Sequence, residues 1–176
     1  MTNEEIKVAN KTARSNGAVG KNAILPKIIT GRYPAKTFWC KILDFGAGPK
    51  ALHALSLREQ NYICDAYDMG ENFNPNVHVS DEYLQNKTYQ IVMASNVINT
   101  LSSLSAIRET IEKIHSFTDK EGVAMLNFPT SPRKLKSLTQ KKLMDLFLEK
   151  FKSVVVENHN GTRVFYCYKY GSVSDD

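Results

Sequence analysis

Cysteine is scarce in this 176-residue chain, with three copies at Cys40, Cys64 and Cys167. The number is odd and none has the close Cys or His spacing of a zinc site. Cys64 and Cys167 lie in strand-like apolar runs, so reduced thiols are expected rather than disulfides or metal ligands. Long apolar runs are missing too: nothing approaches the roughly 20 residues that span a bilayer, and no membrane partner is expected. Met1-Thr2-Asn3-Glu4-Glu5 has no apolar core behind basic residues. A secretory leader is therefore not expected, and the compartment is read as cytoplasm, or host cytoplasm for a viral protein. Internal repeats and low-complexity tracts are absent. So is a phosphate loop: Gly17-Ala18-Val19-Gly20-Lys21 has Ser15 at the earlier glycine position and Asn22 where Ser or Thr is required. His53, His78, His115 and His159 are read as surface or packing residues, none of them catalytic.

What is present suits one globular domain. Hydrophobic residues make up 42% and charged residues 23%, and a chain this long buries roughly two-thirds of its unfolded surface. Charge is unevenly spread. Residues 1–41 carry eight Lys or Arg against Glu4 and Glu5, residues 42–130 are net acidic, and residues 131–152 carry seven bases against Asp145 and Glu149. Two basic segments on an acidic body either solubilise the surface or attract a polyanion such as nucleic acid.

Residues 1–40 have weak periodicity and several Gly and Pro, and read as a basic arm or lid with one short helix near Ala23–Ile29. From Cys40 onward strand-like and helix-like segments alternate. Strands are expected at Cys40–Phe45, Tyr62–Tyr67, Val77–Val79, Tyr89–Ser95 and Gly122–Phe128. Helices are expected at Pro49–Gln60, at Leu101–Ile114 with Ser102 or Ser103 as N-cap, and at Thr139–Phe151. Ser153–Glu157 and Arg163–Lys169 flank Asn160-Gly161 and read as a hairpin. The order predicts an α/β fold: a three-layer sandwich with a mostly parallel seven-stranded sheet and a C-terminal antiparallel hairpin. Its domain is set at 41–171, with a flexible tail at 172–176.

The chemistry concentrates where the first strand meets its helix, in Asp44-Phe45-Gly46-Ala47-Gly48-Pro49. Gly46 and Gly48 let the backbone turn tightly and approach a nucleotide without a Cβ clash. Asp68 stands 24 residues after Asp44, at the end of the second strand, where a carboxylate can accept ribose hydroxyls. The run Gly46 to Ala51 also satisfies a loose dinucleotide pattern, but Asp44 would repel a pyrophosphate and suits an ammonium and a sulfonium.

Ile42 to Pro49 resembles motif I of the class I, Rossmann-like S-adenosylmethionine-dependent methyltransferases, except that Lys50 stands where that family continues with glycine. The resemblance covers about residues 40–170. It implies S-adenosylmethionine as cofactor, held by Asp44 through Pro49, by Asp68 and Met69, by Ser80 and Asp81 near adenine, and by Ser95 and Asn96 beside the transfer site. Asn96 is the candidate for orienting the acceptor, and no metal is implied. Lys21, Arg133 and Lys134 are expected to form a basic substrate-facing rim. The arm 12–21 is similar in layout to methyltransferase-like proteins of phages and DNA-modification loci. An exocyclic-amine DNA methylase is disfavoured because Ser95-Asn96-Val97-Ile98 lacks Pro-Pro, and a cytosine C5 enzyme because no Cys follows Pro129 or Pro132. The methyl acceptor stays open, as do two alternatives: a binding protein of the same fold without methyl transfer, and an NAD(P)-dependent oxidoreductase.

Overall fold

Lys41–Phe45 (β1) and Tyr89–Ala94 (β3) are almost continuous apolar runs, and in the computed structural model both lie inside a sheet covered on each face. The structure describes residues 1–13, 22–35, 40–129 and 134–170. Lys21, Arg133 and the segment 172–176 fall outside that set. Ile63–Tyr67 (β2), Thr118–Phe128 (β4), Ser153–His159 (β5) and Thr162–Tyr168 (β6) complete a sheet ordered β2-β1-β3-β4-β6-β5. Strands β2, β1, β3 and β4 run parallel, β6 is antiparallel to β4, and β5 to β6. The expected mostly parallel sheet with a closing hairpin is what forms.

Helices Ile24–Arg32 (α2) and Leu52–Arg58 (α3) cover one face, where Leu25, Ile29 and Leu57 pack on Ile42, Ile91 and Met93. Helices Leu104–Phe117 (α5) and Gln140–Leu148 (α6) cover the other, where Ile107, Ile111 and Phe147 meet Leu43, Val92 and Phe165. Side chains alternate along β1, with Ile42 on the α2–α3 side and Leu43 and Phe45 on the other. Asp44 therefore points with Ile42 toward α3. That places a carboxylate inside the layer interface.

The structure differs from the sequence reading in three places. First, there are six strands among the described residues, not seven. Val77-His78-Val79 is not a strand. Two carbonyls on the outer edge of β2 find donors without one: Arg58 Nε donates to Cys64 O at 2.7 Å and Val79 N to Ala66 O at 2.8 Å. Second, the helix after the glycine loop begins at Leu52, not Pro49, because Gly48 (φ +72°) and Ala51 (φ +46°) are left-handed and interrupt it.

Third, among the described residues of the first forty, Asn3–Ala13 (α1) is a helix that the weak periodicity does not predict, besides α2 near its expected place. A capping box starts α1, with Thr2 Oγ1 accepting from Glu5 N at 3.2 Å and Glu5 Oε2 accepting from Thr2 N at 2.9 Å. The Thr2-x-x-Glu5 signal was present in the sequence. The apolar stripe behind it is thin, so periodicity alone does not mark the helix.

Short helix Asp81–Leu84 (α4) follows β2, and Ser103 caps α5 by accepting from Ala106 N at 3.0 Å. The Ser103 hydroxyl also donates to Glu5 Oε1 at 2.6 Å, tying α1 to α5. Ser103→Ala is expected to cost about 1 kcal/mol, or about 2–4 °C of melting temperature for a domain of this size. Amide exchange should accelerate in α1 as well as at the start of α5. Exchange confined to α5 would show that the Glu5 contact does not hold α1.

Candidate functional site

At the end of β1 the chain turns back through Gly46 (φ +73°) and Gly48 (φ +72°). Gly46 N and Ala47 N both donate to Tyr67 O, at 2.9 and 3.1 Å, which locks the loop to the end of β2. The next residue, Asp68, accepts from Gly48 N at 2.6 Å and from Met69 N at 2.7 Å. Burial raises the Asp68 carboxyl above its usual range, and those two N–H donors work against the rise. The register that sets Phe45 opposite Tyr67 brings loop and acid together.

Asp44 is fully buried, and neither carboxylate oxygen has a hydrogen-bond partner among the described residues. His53 in the first turn of α3 stands beside it, with Nδ1 at 3.8 Å from Asp44 Oδ1. A carboxylate so placed is costly unless a cation or donor completes it.

A cavity of about 490 Å³ opens over the glycine loop, His53 and Asp68, with Asp44 outside its wall. Its wall is formed by residues 45–53, by Tyr67, Asp68, Met69 and Asn72, and by Ser95, Asn96 and Val97 with residues 99–101 beyond β3. Ile6, Ala9 and Asn10 of α1 close another side. Asn10 Nδ2 donates to Met69 O at 3.0 Å, and a Cβ on Gly70 would lie 2.6 Å from Ile6 Cγ2. Helix α1 thus packs against the loop that follows Asp68.

The expected site residues divide as follows. Phe45 through Pro49, Asp68, Met69, Ser95 and Asn96 share the cavity wall, with Asp44 buried beside His53. Ser80 and Asp81 do not reach it. Ser80 caps α4 by accepting from Tyr83 N at 3.2 Å, and Asp81 Oδ1 accepts from Tyr67 OH at 2.8 Å. Burial, with that bond second, pushes the Tyr67 phenol up. Lys134 is exposed, and its backbone N–H donates to Asn99 O at 3.0 Å, joining the segment after β4 to the one after β3.

Asn96 is left-handed (φ +58°) and closed into a pair with Asn127. Asn96 N donates to Asn127 Oδ1 at 2.6 Å, and Asn127 Nδ2 donates to Asn96 Oδ1 at 2.9 Å. Ser95 Oγ, also buried, has no hydrogen-bond partner among the described residues. Asn127 and His53 were missed in the sequence. Asn127 carried a signal, as the one polar residue in the apolar run Val123–Phe128. His53 carried none, since a histidine in a helix looks alike on a core or a cavity face.

The fold is that of the class I S-adenosylmethionine-dependent methyltransferases. No protein-family profile matches the chain, and no curated protein matches it in sequence. Solved structures do match. A TehB-like SAM-dependent methyltransferase from Corynebacterium glutamicum is 17% identical, with a TM-score of 0.62 over 91% of this chain and 92% of that one. The glycopeptide N-methyltransferase MtfA, solved with S-adenosylmethionine, is 12% identical, with a TM-score of 0.63 over 89% and 90%. An O-methyltransferase family protein from Burkholderia thailandensis is 8% identical, with a TM-score of 0.60 over 84% of this chain, which spans 56% of its length. Identities this low establish a shared fold. Among the described residues no helix is long and apolar enough to cross a membrane.

Proposed function

We propose that the chain is an S-adenosylmethionine-dependent methyltransferase. The observation that carries this reading is Asp44: a fully buried carboxylate without a hydrogen bond among the described residues, two residues before a glycine loop that shares a cavity with Asp68. The donor set fits the cofactor. An ammonium would give Asp44 a hydrogen-bonding cation, which His53 Nδ1 at 3.8 Å is too distant to be, the bare Cα face of Gly48 admits close approach, and Asp68 retains lone pairs for ribose hydroxyls. MtfA and a Synechocystis magnesium protoporphyrin IX methyltransferase, both solved with S-adenosylmethionine, share this architecture. A pyrophosphate cofactor would instead meet two buried carboxylates.

When bound, the cofactor would supply an electrophilic methyl group on a sulfonium, whose carbon would bond to the acceptor's lone pair in line as the carbon–sulfur electron pair leaves with the neutral thioether. The chain's own contribution is positioning and exclusion of water. The Tyr67 carbonyl and the Asp68 carboxylate hold the glycine loop in shape before the ligand arrives. Ser95 and Asn96 stand at the end of β3 as hydrogen-bonding groups for an acceptor. Asn96 retains its amide N–H donors for this, because its oxygen is taken by Asn127. The acceptor reading that includes nucleic acid draws on the basic segments 1–41 and 131–152. Lys134 is its described member next to the site. Lys134→Glu should then weaken polynucleotide binding and flatten its salt dependence.

S-Adenosylmethionine and S-adenosylhomocysteine are each expected to raise the melting temperature, by about 5–10 °C at a hundredfold excess over Kd. NAD and NADP should leave it unchanged. The reverse pattern would make the protein an oxidoreductase. Cofactor binding with no labelled methyl passed to DNA, RNA, protein or small-molecule fractions would make it a binding module.

A further inference from the structure

We propose that His78 is a positioning residue of the glycine loop, donating its Nε2–H to the Gly48 carbonyl so that this residue and Asp68 hold Gly48 from both ends. The identity of the ligand rests on the preceding reading; the clamp itself does not. His78 is buried and comes from the segment that takes the place of the expected third strand. Asn74 N donates to its Nδ1 at 2.9 Å, so Nδ1 carries a lone pair and the neutral ring's proton sits on Nε2. Nε2 lies 2.9 Å from Gly48 O, which can only accept. Geometry alone therefore assigns the tautomer.

The surrounding segment is built around this ring. Phe73 stacks on it with centroids 6.1 Å apart, and Asn74 Oδ1 accepts from Asn76 N at 3.0 Å, closing a turn. On the loop side, Gly48 N donates to Asp68 Oδ2, while Gly48 O receives both His78 Nε2 and Ala51 N, the latter at 3.1 Å. Among the described residues, chain neighbours aside, no atom lies within 4 Å of a Cβ built on Gly48, so the clamp leaves that face open, and Gly48 lines the cavity whereas His78 does not. The loop needs bracing. Ala51 takes a left-handed conformation (φ +46°) that a residue with a side chain disfavours. His78 acts on the ligand through Gly48.

Nitrogen NMR of the ligand-free protein should show His78 with Nε2 protonated and Nδ1 bare. His78→Phe keeps an aromatic ring and loses the donor, whereas His78→Gln loses the ring and keeps an N–H near the Nε2 position. In His78→Phe, amide exchange at Gly48 and Ala51 should rise about tenfold and the Kd for S-adenosylhomocysteine should rise about tenfold, the change expected for one lost hydrogen bond. His78→Gln should stay within about threefold of wild type on both. Wild-type exchange and affinity in a folded His78→Phe, or no recovery in His78→Gln, would overturn the proposal. So would a bare Nε2 in the wild type, a result that needs no variant to fold. If wild-type protein binds no S-adenosylhomocysteine, the function proposed above falls, and the exchange and NMR readouts still decide the clamp.

Discussion

Asp44→Asn should melt higher than wild type without ligand, by about 2–8 °C, and bind S-adenosylmethionine about a hundredfold more weakly. Both signs follow from one fact. The Asp44 carboxylate is fully buried, and among the described residues its oxygens have no hydrogen bond, with an imidazole nitrogen at 3.8 Å. An ionised carboxylate taken out of water loses several kcal/mol of solvation unless it is paired. Asparagine has nearly the same shape and no charge, so the ligand-free protein is relieved of much of that penalty. The ligand's ammonium loses its counter-charge. Stability gained against function lost is the expected behaviour of a site held in readiness. Thermal melts with calorimetric titration measure both. A less stable variant that binds as tightly would show that Asp44 is a structural partner of His53.

The second large effect is expected at Gly46. Its φ of +73° is one that a side chain resists, and an added Cβ would sit 2.5 Å from Val97 Cγ2. Gly46→Ala should destabilise the fold by about 3 kcal/mol, from about 1–2 for the left-handed conformation and about 1–3 for overpacking. Val97→Ala in the same chain opens space for the new methyl group and should recover the steric part only. The double-mutant cycle should therefore show a coupling of about 1–2 kcal/mol. Strict additivity in urea melts would mean that the loop shifts away from Val97, and the close approach would not be what requires glycine there.

The hairpin, the parallel core and α5 were legible because each is set by local pattern. Asn160-Gly161 between apolar runs gives a tight turn. Ile107, Ile111 and Ile114 follow the helical period after the Ser103 cap. Two losses in legibility share a cause. Val77-His78-Val79 has the composition of a strand, yet whether it pairs depends on what else reaches the edge of β2, and Arg58 and Val79 N supply those bonds from outside any ladder. Helix α1 carries its capping box in the sequence, but its hold on the body comes from Ser103 and Met69, at separations of 98 and 59 residues. Neither contact is visible to a local window.

The loop shows the same division. From Asp44 through Pro49, with Asp68 following the next strand, residue types alone determined that an acidic, glycine-lined turn would meet a second carboxylate at the carboxyl edge of a parallel sheet. That is a property of strand period and spacing. Tertiary structure decided which atoms touch: that Asp44 has no hydrogen bond while Asp68 has two, that Asn96 is tied to Asn127, that Asp81 serves Tyr67, and that His78 grips Gly48. All but one of those hydrogen bonds, the Met69 N–H to Asp68, join residues 14 to 31 apart in the chain at 2.6 to 2.9 Å, distances that packing sets and sequence order does not.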